Sequence, residues 1–149
     1  MSKLNLILAL AIAGSCFGLD GEAKALERLS LTTDRLQAMG DEMAGEPASG
    51  MLVVGDTLLI DANLSSTYIY SFIIWTDSAF NFVDFWLASP LGTTPRGDYS
   101  DHTILAVMPD SAETGTWQLG MELLEGAYSD TAWYAAAIFR NERVSHKGP

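Results

Sequence analysis

The sequence predicts an all-β fold: an antiparallel β-sandwich, jelly-roll-like with about seven or eight strands, preceded by a signal peptide and a short N-terminal helix. Three observations carry that expectation. Between Phe80 and Leu123, aromatic-rich runs are punctuated by Ser89-Pro90-Leu91-Gly92 and Glu113-Thr114-Gly115-Thr116, the turn spacing of a two-layer sandwich. Trp117, Leu119, Met121 and Leu123 alternate with Thr116, Gln118, Gly120 and Glu122, which is the period-two pattern of a half-buried strand. Beyond Gly50 no helical stripe of useful length recurs.

A chain of 149 residues builds one domain with a real core. Its 8 Lys plus Arg against 19 Asp plus Glu give a formal charge of −11. That charge repels phosphate backbones and anionic lipid surfaces, so nucleic acid is excluded as a partner. Nine of the acids lie between Asp77 and Asp130, where Arg96 is the one basic residue, so the negative field is concentrated on the β-rich half. A field of that sign serves solubility outside the cell and draws cations.

The N-terminal segment, residues 1–18, has Lys3, an apolar run from Leu4 to Ala13 and then small residues, the layout of a secretory signal too short to span a membrane. The lone cysteine, Cys16, follows Ala13-Gly14-Ser15 and resembles the lipid-attachment cysteine of bacterial lipoproteins. Cleavage after Gly18 leaves no cysteine, hence no disulfide. The predicted address is the periplasm, the cell surface or the extracellular space, with membrane contact only through the signal or a lipid anchor.

Residues 19–50 read as helix and linker. Glu22 to Met43 is rich in helix formers, and Leu29, Leu36 and Met43 make a narrow stripe flanked by Leu26 and Met39. Ser30, Thr32 and Thr33 interrupt it and could cap a second helix near Asp34. The stripe fits either a stalk between subunits or a helix packed on its own domain. Gly40 to Gly50 is breaker-rich and marks the boundary of the sandwich, expected over residues 51–140, with 141–149 a disordered polar tail.

Met51–Val54 and Thr57–Ala62 flank Gly55-Asp56, a hairpin-like turn. The next run, Thr67 to Thr76, is apolar on both faces: Tyr68, Tyr70, Phe72 and Ile74 against Ile69, Ile73 and Trp75. Such a strand is covered on both sides, here by the N-terminal helix or by a partner. Phe80–Ala88 follows. Ser100–Met108 sets Thr103, Leu105 and Val107 against His102, Ile104 and Ala106 before Pro109 ends it. The last strand, Thr131–Arg140, carries Ala132, Ala135, Ala136 and Ala137, which let another layer approach closely.

Val83-Asp84-Phe85-Trp86-Leu87-Ala88-Ser89-Pro90-Leu91-Gly92 resembles the Asp-Leu-Tyr-Leu strand and Pro-x-Gly turn of bacterial pre-peptidase C-terminal domains. Glu113-Thr114-Gly115-Thr116-Trp117-Gln118-Leu119 is similar to their Ala-Gly-Thr-Tyr/Trp-x-Leu strand, with Tyr134 near the final strand. The P-domains that follow subtilisin-like proteases are a more distant likeness. The resemblance covers Asp77 to Phe139 and implies a non-catalytic appendage for secretion, folding or adhesion.

Chemistry-bearing residues are few. Ser100, Asp101 and His102 could be named as a hydrolase set, but neighbours in an extended chain point to opposite faces, so no catalytic residue is assigned. Asp98 and Asp101, with Asp84 and Asp110 nearby, offer hard oxygen ligands suited to calcium, though without the order of a full calcium loop. No cofactor is otherwise implied. Of four tryptophans, Trp117 reads as core, while Trp75 and Trp133 oppose Tyr and Ala faces and could stack on sugar rings. The function expected is that of an exported binding, adhesion or assembly module. It would act on a protein partner or a second copy; the alternative is a carbohydrate-binding module.

Overall fold

Strand alternation in the sequence becomes two packed sheets and a helix in the computed structural model, which describes residues 20–93, 98–125 and 129–143. The elements are α1 (Asp20–Ala38), β1 (Glu42–Met43), β2 (Ala48–Val53), β3 (Thr57–Leu64), β4 (Tyr68–Thr76) and β5 (Val83–Ser89). They continue with β6 (Gly92–Thr93), β7 (Asp98–Ser100), β8 (His102–Val107), a short 3-10 turn (Ser111–Glu113), β9 (Gly115–Leu123) and β10 (Thr131–Glu142).

Sheet A has the order β2-β10-β4-β8, with β1 continuing the β2 edge; sheet B has the order β3-β9-β5-β7, with β6 beyond β7 on the same strand. Every pairing is antiparallel. From β2 onward successive strands change sheets, except that β5 to β7 stays within sheet B. That order and those crossovers are jelly-roll topology, so the predicted architecture holds.

The inner faces meet in a core of Phe72, Ile74, Phe85, Trp117, Leu119, Met121 and Leu123, with Tyr134 at its margin. Gly50 lies against the Tyr134 ring, and burial pushes the phenol's pKa up. Trp117 keeps its one donor satisfied, its Nε1 donating to the Glu113 carbonyl at 2.8 Å. The turn before β9 is fixed by a capping box: the Asp110 carboxylate accepts from the Glu113 amide, and the Glu113 side chain accepts from the Asp110 amide.

Sheet A is covered on its other face as well. Ala25, Leu26 and Leu29 of α1 pack on Ile73, Ala135, Ala137 and Phe139 in a second apolar cluster. The doubly apolar β4 is therefore explained within one chain, and the alanines of β10 admit the helix. Ser30 and Thr33 do not split α1: Thr33 Oγ1 donates back to the Ser30 carbonyl at 3.0 Å inside an unbroken helix.

Five expectations are corrected. The helix stops at Ala38, with Gly40 in the left-handed region at φ 96°, and Met43 belongs to β1 rather than to the helical stripe. The expected linker contains β1 and the start of β2, because both find ladder partners on β10. Gly55-Asp56 makes no hairpin: β2 and β3 lie in different sheets, and Gly55 at φ 86° turns the corner between them. Ser100–Met108 is two strands, since the chain leaves sheet B at Ser100 and enters sheet A at His102. β10 runs on to Glu142, two residues past the expected end of the sandwich. The signal segment with Cys16, and residues 144–149 of the tail, lie outside the described residues.

Candidate functional site

The polar cluster of the molecule sits where that crossover meets α1. Asp101 is the corner residue, and its carbonyl accepts from the Thr76 hydroxyl at 2.6 Å and the Thr76 amide at 3.0 Å. Its carboxylate then gathers three groups. Arg28 Nη2 donates to Oδ2 at 2.6 Å, His102 Nδ1 lies 3.0 Å from Oδ1, and Ser100 Oγ donates to Oδ1 at 3.3 Å. Arg28 Nη1 donates to the Thr76 carbonyl at 2.7 Å, tying the helix to the end of β4. Burial pulls the Asp101 carboxyl upward, and hydrogen bonds from His102 and Arg28, with their charges, outweigh it and hold the carboxyl below the usual carboxylate range.

Trp75 stands beside this hub. The Thr76 amide bond to Asp101 flanks the Trp75–His102 pair, which makes it a non-hydrogen-bonded pair, the kind whose side chains approach most closely. Their rings accordingly stack at 4.0 Å between centroids with 5° between planes. The Arg28 guanidinium lies 4.6 Å from the Trp75 ring centroid, and Trp75 Nε1 donates to Thr32 Oγ1 at 2.9 Å. Arg28, Leu31, Thr32 and Arg35 of α1 and Trp75 line a hollow of about 330 Å³. A second hollow, about 500 Å³, lies farther along the same face and includes Ile69, Ser71, Met108, Arg140 and Arg143.

Ser100, Asp101 and His102 thus do meet, contrary to the expectation from strand alternation, because the chain bends between two sheets at Asp101. The order is wrong for nucleophilic catalysis, which places the imidazole between acid and hydroxyl; here the carboxylate is the centre. As a metal ligand Asp101 is already engaged, and a cation there would have to displace the guanidinium. Asp98 opens β7, and its side chain lies outside what is described. Among the described residues no group of three or more His, Cys, Asp or Glu is placed to hold a metal ion.

The two tryptophans expected to be exposed both lie on the outer face of sheet A, half-buried. Trp133 packs against Gly21 at the start of α1, where a Cβ would collide with the indole. Trp86 is buried on the outer face of sheet B, flat across Gly120. The sequence reading missed Arg28, Thr32 and Arg35. Their spacing of four and three puts them on one side of the helix, next to its apolar stripe, and that was the available signal. It also missed the exposed aromatic pair Phe82 and Tyr99, whose rings lie 5.9 Å apart on sheet B.

No protein-family model and no curated protein sequence matches the chain. Two solved β-rich structures are similar to it. One is the periplasmic lysozyme inhibitor of g-type lysozyme from Aeromonas hydrophila, PliG, with TM-score 0.47 and 9% identity over 69% of this chain and 90% of that one. The other is the carbohydrate-binding module CBM36, solved in complex with calcium and xylotriose, with TM-score 0.33 and 16% identity over 71% of this chain and 96% of that one. Among the described residues no helix is long and apolar enough to cross a membrane.

Proposed function

We propose that this chain is a non-catalytic, exported binding module that docks a protein partner on the outer side of sheet A, beside α1. One observation carries the reading. The helix covers β10 and β4 but stops short of β8, so Ile104 and Met108 remain 55% and 52% exposed, and Leu31 on the facing side of the helix is 65% exposed. Large apolar side chains in one neighbourhood, bordered by the Arg28–Asp101–His102 cluster, have the composition of a contact surface. The likeness of residues 83–92 and 113–119 to pre-peptidase C-terminal domains supports a non-catalytic appendage, as does the carboxylate-centred arrangement at Asp101. The apolar run of residues 4–13 supports export.

A photo-crosslinking residue at position 104 is expected to capture a protein in the producing cell, whereas the same residue at Leu59, half-exposed on sheet B, captures none. Equal capture at both positions, or none at 104, defeats the proposal. A second reading, glycan binding, is favoured by the hollow that Trp75 shares with Arg28 and Arg35. A change in intrinsic fluorescence on adding soluble glycans, abolished by Trp75→Phe, would put it first.

A further inference from the structure

We infer that the partner is received as an added β-strand: an extended, acidic segment of another protein pairs with the free edge of β8. This rests on the docking reading above and names its chemistry. Among the described residues β8 ends sheet A, paired with β4 on one side only. Because Trp75–His102 is a non-hydrogen-bonded pair, so are Ile73–Ile104 and Ser71–Ala106 in the same register. The N–H and C=O groups of His102, Ile104 and Ala106 therefore point away from β4, toward the open edge. Ile104 and Ala106 offer unmatched donors and acceptors there, while the His102 amide donates to Ser100 Oγ at 3.5 Å.

Edges of this kind are ordinarily blunted by lysine, proline or a bulge. His102-Thr103-Ile104-Leu105-Ala106-Val107 contains no Lys and no Pro, and its pairing with β4 runs in unbroken register. Leu105 and Val107 face the sandwich interior yet are only half-buried, as inward residues at an unclosed edge must be. Of the other edges, β3 carries Asp61, and β2, six residues like β8, follows Pro47 and has Gly50 in its middle.

Charge selects the occupant. The described basic residues are Lys24, Arg28, Arg35, Arg140 and Arg143, and all but Lys24 line the two hollows on this face. Arg28 is paired with Asp101 and Arg140 with Glu42, and Asp41 and Glu142 also line the larger hollow. The smaller hollow, beside His102, has Arg28 and Arg35 and no acid in its lining. In a chain of net charge −11, this is where an acidic segment is accepted. A second copy has no such complement, because its own β8 carries no acid. Strand addition supplies main-chain hydrogen bonds for affinity, and Arg35 supplies the preference for acid.

The probes are two labelled decapeptides, one alternating valine with glutamate and the other valine with lysine. The glutamate peptide is expected to bind at least tenfold tighter and to weaken severalfold between 50 and 300 mM salt, with hydrogen exchange slowed at Ile104 and Ala106. Arg35→Glu should erase the preference. Ile104→Pro should cost at least tenfold in binding and spare the fold, because the Ile104 amide gives nothing to β4. If that variant fails to fold, the exchange measurement on the unaltered chain decides. Equal binding of both peptides, binding without protection at the Ile104 and Ala106 amides, or no binding overturns the inference. A dimer that tightens with salt and is lost in Ile104→Pro overturns it in favour of a second copy and leaves the docking reading standing. Silent peptides together with retained crosslinking at position 104 defeat strand addition alone; silence in both experiments defeats both.

Discussion

Asp101 joins the two sheets to the helix through one side chain and one carbonyl. Its side chain is 16% exposed, so its partners act through a partly dry environment and are screened less than surface ions. Because the folded carboxyl titrates below the unfolded value of about 3.9, the unfolded chain binds more protons between the two values and stability rises with pH there. The contribution is complete above the unfolded value and lost as pH falls through the folded one. Asp101→Asn should therefore lower the urea midpoint at pH 7, where it also strands the Arg28 guanidinium, and the gap to the parent chain should close as pH falls through the folded value. A gap of constant size across that range would show that the carboxylate's charge is not what matters.

At the level of elements, α1 is held by shape. Ala135 is fully buried and Ala137 nearly so beneath Leu26 and Leu29, and a longer side chain there must lift the helix. Ala137→Leu is expected to destabilise the protein by about 1–3 kcal/mol, as overpacking does, while Ala38→Leu on the exposed last turn of α1 costs nearly nothing. Equal thermal midpoints for the two variants would mean that the helix rides loosely. What could be read from the sequence divides along the same line. The buried face of β9 and the double cover of β4 were legible, because period-two alternation is a local property, and so was the close approach that the alanines of β10 permit. Where the chain changes sheets was not: Gly55-Asp56 looks like a hairpin and Asp101 like mid-strand, and only the pairing partners far along the chain decide. The site suffered for the same reason. Trp75 and Asp101 were singled out separately, one for sugar and one for metal, yet they belong to one cluster assembled by Arg28, some 50 to 70 residues away.

For the molecule as a whole, the two apolar clusters share strands: β4 and β10 present Phe72 and Tyr134 to one and Ile73 and Ala135 to the other. Removing the helix would expose Ile73, Ala137 and Phe139 at the centre of sheet A, and losing sheet B would leave Phe72 and Ile74 bare. Neither layer can be lost at modest cost, so one cooperative transition is expected. The tryptophans give a direct reading, since Trp117 reports the inter-sheet core and Trp133 the helix side against Gly21. In variants retaining only Trp117 or only Trp133, denaturant midpoints for fluorescence should each coincide with that variant's far-UV circular dichroism midpoint. If the Trp133 signal moves at lower denaturant than the circular dichroism of its own variant, α1 detaches first. The sandwich would then carry a removable flap over β4 and β10, and the wall formed by Arg28, Thr32 and Arg35 beside β8 would not be a fixed part of the surface.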